Sequence, residues 1–195
     1  IMKTNWDLTV FYKDFDDPEF KDDLARLPKE IDAFTAAIAA PAEDEVKKLV
    51  SLVHQEEALS NLFERLSLMI GLTLSVDANN KAANAAMAPL MRAVMGSSLA
   101  SDAFSRYLAS LENLDAIIDA DDELKARAFA LREAAEDAKH QLPEALEKPV
   151  LKMQLSGGEA FSQLRDKLDA TLLVDYDGKQ IPLSAVRALA YDGDA

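Results

Sequence analysis

Cysteine is absent from the 195 residues, and histidine occurs only twice. The first absence removes disulfides, thiolate nucleophiles and Cys-based metal sites, and it fits a reducing cytosol. The second leaves His54 and His140 as the entire imidazole inventory for metal binding or acid–base work. Glycine is scarce at six residues, while Ala, Leu, Glu, Asp and Lys dominate, so most of the backbone is expected to be helical. No run of about 18 apolar residues occurs, and the N-terminus lacks a basic region followed by an apolar stretch; the chain reads as soluble and cytoplasmic. Positive charge is in the minority. With 21 Lys and Arg against 35 Asp and Glu, the net charge of −14 repels phosphates, which sets nucleic acid and anionic membranes aside as partners.

What is present is helical periodicity. Asp17-Pro18 is a helix entry, with Asp as N-cap and Pro at the first helical position. Phe20, Leu24, Leu27, Ile31, Phe34 and Ile38 then form one apolar stripe. Pro28 inside it predicts a kink or break near residue 27, and Pro41 closes the helix. A longer helix is predicted from about Ala42 to Val76, its stripe lapsing over "HQEE" at 54–57, which therefore faces solvent or another polar surface. An Ala-rich helix over 78–111, with Pro89 as a kink, is suited to close helix–helix approach. Segments 113–119 and 122–141 make a further pair joined through "DADDE". Two shorter helices divided at Gly157-Gly158 follow, then a hairpin turning at Asp177-Gly178 and a last helix capped by Ser184. The expected fold is mainly α, a multi-helix bundle of long antiparallel helices with a small β-hairpin near the C-terminus.

Candidate chemistry fails residue by residue. His54 opens "HQEEA", but Ala58 stands where an H-E-x-x-H helix needs its second imidazole, so His54 reads as a surface residue. Bundle di-metal sites use Glu followed three residues later by His; here His54 precedes Glu57, and His140 follows Asp137. A bundle metalloenzyme on these two histidines is thus the weakest of three readings. A calcium loop starting at Asp119 would need Gly and Glu where Leu124 and Ala130 stand, so "DADDE" is a solvated helix entry. "SGGEA" at 156–160 lacks any phosphate-loop Lys and reads as a turn. No Ser lies in a G-x-S-x-G elbow. Catalytic, cofactor-binding and metal residues are therefore none, and no cofactor is assigned to this chain.

The stretch "NWDLTVFYKDFDDPEF" at 5–20, with Trp6-Asp7-Leu8, Phe11-Tyr12 and the D-D-P-x-F entry, resembles the start of oligoendopeptidase F and its relatives. The tail "LSGGEAFSQLRDKLDATLLVDYDGKQIPLSAVRALAYDGDA" is similar to a segment of the same family. Those proteins are cytosolic zinc metallopeptidases that cut short peptides. The resemblance implies that residues 1–195 are the N-terminal helical domain of such an enzyme, with an aromatic preamble at 1–16, a helical body at 17–170 and the hairpin and final helix at 171–195. It implies that Trp6, Phe11, Tyr12 and Phe15 anchor the preamble on the helical body. It also implies that the H-E-x-x-H helix, the zinc and the catalytic domain lie C-terminal of this chain, which alone would be inactive. The implied partners are that catalytic domain in cis and short peptide substrates, with self-association through the face left uncovered. The rival reading is a stand-alone helical domain that binds a protein or peptide without catalysis.

Overall fold

The computed structural model describes residues 7–189 and Tyr191. Trp6, the first of the expected anchors, lies outside them. The chain falls into two compact units, 1–147 and 148–195. The fold is mainly α, with one antiparallel hairpin near the C-terminus.

In the first unit, α1 (Pro18–Ala39), α2 (Glu45–Val76) and α3 (Lys81–Ser110) pack on one another. The shorter α4 (Leu114–Asp119), α5 (Asp122–Ala126) and α6 (Ala128–Asp137) follow, ending in a 3-10 turn at Ala138–His140. Each long helix starts on a side-chain cap. Asp17 accepts from the Glu19 amide, Asp44 from Val46 and Lys47, and Asn80 from Ala83, which pairs amides that the helix itself leaves free. The other end of α1 is closed by Lys48, whose Nζ donates to the Ile38 and Ala40 carbonyls at 2.9 and 2.6 Å and lies 4.3 Å from the Tyr107 ring centroid.

The predicted stripe of α1 is buried at Phe20, Leu27, Ile31, Phe34 and Ile38, and Leu24 is half-buried against the same core. Pro28 does not break the helix, which runs unbroken from Pro18 to Ala39. Its ring is exposed, and stripe burial on both sides outweighs the bond that the Leu24 carbonyl loses. Pro89 likewise sits within a continuous α3. The predicted single helix over 122–141 is instead divided at Arg127, where the backbone opens to φ −108° and ψ 8°.

The preamble is pinned as expected by its described aromatics. Tyr12 is 2% exposed and meets Phe20 edge-on at 5.2 Å, and Phe15 meets Phe20 at 5.1 Å. Phe11 packs half-buried against the core. A polar knot lies beneath them. Asp23 is 5% exposed on the core side of α1 and accepts from the Tyr12 hydroxyl at 2.9 Å and from Arg26 at 2.7 Å. Arg65 of α2 lies over the Tyr12 ring, donates to the Phe11 carbonyl at 3.0 Å and to Glu19 at 2.6 Å, and is 3.5 Å from Asp23. Burial, reinforced by Asp23, pushes the Tyr12 hydroxyl above its ordinary value of 10.0. A raised acid contributes stability that is complete below the unfolded pKa and is lost as pH rises. Thermal melts through the alkaline range should therefore fall steeply above about pH 10, and Tyr12→Phe should flatten that fall. A variant with an unchanged alkaline slope would remove Tyr12 from this role.

In the second unit, α7 (Glu144–Gln154) enters across the boundary and is followed by a π turn at Leu155–Glu159 and by α8 (Ala160–Thr171). The glycines therefore do not divide two helices by a stop and fresh start. Gly157 and Gly158 lie inside the wide turn with no atom near a would-be Cβ, and the Ser156 hydroxyl bonds back to the Lys152 carbonyl at 2.8 Å. The hairpin is as predicted: β1 (Leu173–Tyr176) pairs β2 (Lys179–Pro182) from Leu173↔Pro182 to Tyr176↔Lys179. Its turn has positive φ at Asp177 (53°) and Gly178 (70°), the left-handed pair that a two-residue hairpin needs. The last helix, α9, is Leu183–Leu189, so Ser184 lies within its first turn instead of capping it.

Candidate functional site

The turn of α2 where the apolar stripe lapses is the best-furnished surface of the first unit. Leu52, Val53 and Leu59 are buried on either side of it, which leaves His54 and Glu57 facing outward. They meet α5 and its end. His54 Nε2 is 2.6 Å from Glu123 Oε2, and Glu57 accepts from Arg127 Nε and Nη2 at 2.5 and 3.0 Å. Arg127 also donates to the Glu123 carbonyl at 3.0 Å, so its side chain spans the break between α5 and α6. The bidentate hydrogen bonding from Arg127 holds the Glu57 carboxyl below the usual carboxylate range.

Asp121 accepts from the Glu123 and Leu124 amides at 2.8 and 3.2 Å, which makes "DADDE" the helix entry that the sequence indicates. Leu124, with no exposed surface, then anchors α5 in the core. Between this turn and α2 lies an open groove of about 470 Å³, where Val46 and Val50 meet the polar side chains of Ser51, His54 and Asp121.

The His54 imidazole and the Glu57 and Glu123 carboxylates are engaged in polar contacts across the seam, and His140 stands exposed on the 3-10 turn after α6. Among the described residues, no three His, Asp or Glu side chains gather as a metal would need. The described residues do not fit a zinc ion. Ser51 shares the groove with His54, and its hydroxyl accepts from Gln55 Nε2 at 3.1 Å. "SGGEA" is helical on both sides of its π turn, which removes the free helix start that an anion would use.

The seam and the knot were only partly visible in sequence. The lapse at 54–57 points to a polar neighbour, but nothing local to Arg127 names Glu57 as its mate. Asp23 falls three residues after Phe20 and four before Leu27, on the stripe itself, and that placement was the available signal for a buried carboxylate.

The α5 side of this seam falls within a stretch that has a counterpart among known proteins. A family model described as Oligopeptidase F, for the N-terminal region of M3 peptidases, matches residues 109–173. The match supports an oligoendopeptidase F-like N-terminal region. No curated protein and no solved structure matches the chain. The oligoendopeptidase F-like stretch runs from the end of α3 through α8 to the first residue of β1. It contains Asp121, Glu123, Leu124 and Arg127, so it includes the cap, the core anchor and both partners of the α2 turn. The resemblance read from the sequence rests on residues 5–20 and on the tail from Leu155, whereas the match centres on the helices between them.

Proposed function

We propose that this chain is the N-terminal helical part of an oligoendopeptidase F-like metallopeptidase and forms one wall of the cleft that admits short peptides. The observation that carries this reading is the family match over residues 109–173. The architecture of the first unit supports it: α5 and Arg127, both within the matched stretch, meet α2 along a seam in a body of three long helices. In such an enzyme the zinc and its H-E-x-x-H helix belong to a catalytic domain encoded beyond this sequence, and no step of hydrolysis is assigned to the residues present. Their part is to restrict access, since a rigid wall admits extended peptides and turns folded chains away. A cytoplasmic location belongs to the same reading; among the described residues, no helix is long and apolar enough to cross a membrane.

Two experiments test it. With a fluorogenic oligopeptide, the 195-residue chain should give buffer-level rates with or without added zinc, and zinc-dependent turnover would overturn the assignment. Reading the source frame past the codon for Ala195 should reveal an in-frame H-E-x-x-H. A stop codon there would favour a binding domain that no longer serves catalysis.

A further inference from the structure

The second unit carries an apolar surface that its described elements leave exposed. On α8, Phe161, Leu164 and Leu168 recur at spacings of three and four, one face of a helix, and Leu172, the capping residue just past its end, follows four later; they are 71, 51, 58 and 52% exposed. Leu173 at the start of the hairpin is 56% exposed. Four large side chains in register are unlike the scattered apolar residues of an ordinary surface.

Charge selects the occupant. Residues 148–195 hold six Lys and Arg against seven Asp and Glu, while residues 1–147 hold fifteen against twenty-eight. Two copies of this acidic chain repel through their first units and are almost uncharged toward each other through their second. The flank of the stripe is also self-complementary. Arg165 and Asp169 stand one turn apart on the same side of α8, 3.9 Å apart and both largely exposed. When two such helices pack antiparallel about a twofold axis near the Leu164–Leu168 turn, each Arg165 comes within reach of the partner's Asp169. Such a contact is isologous, satisfying both copies with the same pair used twice.

We propose that α8 is a homodimerisation helix, pairing antiparallel with α8 of a second copy through Phe161, Leu164, Leu168 and Leu172 and through two Arg165–Asp169 bridges between subunits. This goes beyond the peptidase reading and does not rest on it.

Sedimentation velocity across a concentration series of the 195-residue chain tests it, with far-UV circular dichroism to confirm that each variant folds. The wild-type chain should show a reversible monomer–dimer equilibrium. Leu164→Asp places two charges in the seam and should weaken it on the order of a hundredfold. Arg165→Asp should weaken it by about tenfold, and Arg165→Asp combined with Asp169→Arg should restore it, because the swapped pair re-forms between subunits. All these positions are exposed, so the variants spare the core. A chain that stays monomeric to its solubility limit overturns the proposal and leaves the stripe to a different occupant. A dimer indifferent to Leu164→Asp overturns it by placing the interface elsewhere. Failure of the double swap to rescue overturns the antiparallel pairing.

Discussion

Asp23→Ala should destabilise the first unit by about 2–4 kcal/mol, a large effect for a residue that sequence alone would leave on a list of charges. The side chain is 5% exposed and is shared by Tyr12, Arg26 and Arg65. Removing it strands the Tyr12 hydroxyl in the core and takes from the Arg65 guanidinium the more buried of its two carboxylates, leaving Glu19 alone. The cost is thus the desolvation of what remains and not the strength of the bonds lost. Asp23→Asn keeps an acceptor for Tyr12 and should lose less. Urea denaturation of the three proteins checks the order; an alanine variant within about 0.5 kcal/mol of wild type would show the knot to be ornamental. Because the knot joins the preamble to α1 and α2, limited proteolysis of the alanine variant should cut first near Lys13.

Leu124→Ala should cost a similar amount, about 3 kcal/mol, through a different mechanism. Leu124 has no exposed surface and is the core contact of a helix only five residues long. So short an element holds no stability of its own, and its helicity is borrowed from packing. Once the leucine is cut back, α5 should loosen, and hydrogen exchange should rise across residues 119–127 before it rises in α1 or α3. Glu57→Gln, which removes the carboxylate that meets Arg127, should do less, because a half-buried ion pair open to water on one side is partly screened and the amide oxygen still accepts from Arg127. If Glu57→Gln proved the more damaging of the two, the seam and not the core would be what holds α5.

The contrast explains which features the sequence displays. The caps at Asp17, Asp44 and Asp121, the stripe of α1 and the Asp177-Gly178 turn are local rules, each legible within about four residues of chain. The continuity of α1 through Pro28 was not legible, since it depends on how much of the stripe on both sides of the proline is buried once the helices have packed. Arg127 ends α5 because Glu57 waits on another helix, and Gly157-Gly158 widens a turn where a local reading ends one. The candidate site follows the same division. That His54 would lie on the surface could be read from Ala58, but its pairing with Glu123 could not, for the two are 69 residues apart.

That separation also sets an order of assembly. The hairpin joins residues a few positions apart and can zip within microseconds, and α8 and α9 need only their near neighbours. The bond from Arg127 to Glu57 must close a loop of 70 residues before it returns anything. On the ribosome, α2 therefore emerges long before its polar turn can be answered, and the first unit stays open to chaperones until α5 and α6 have left the tunnel.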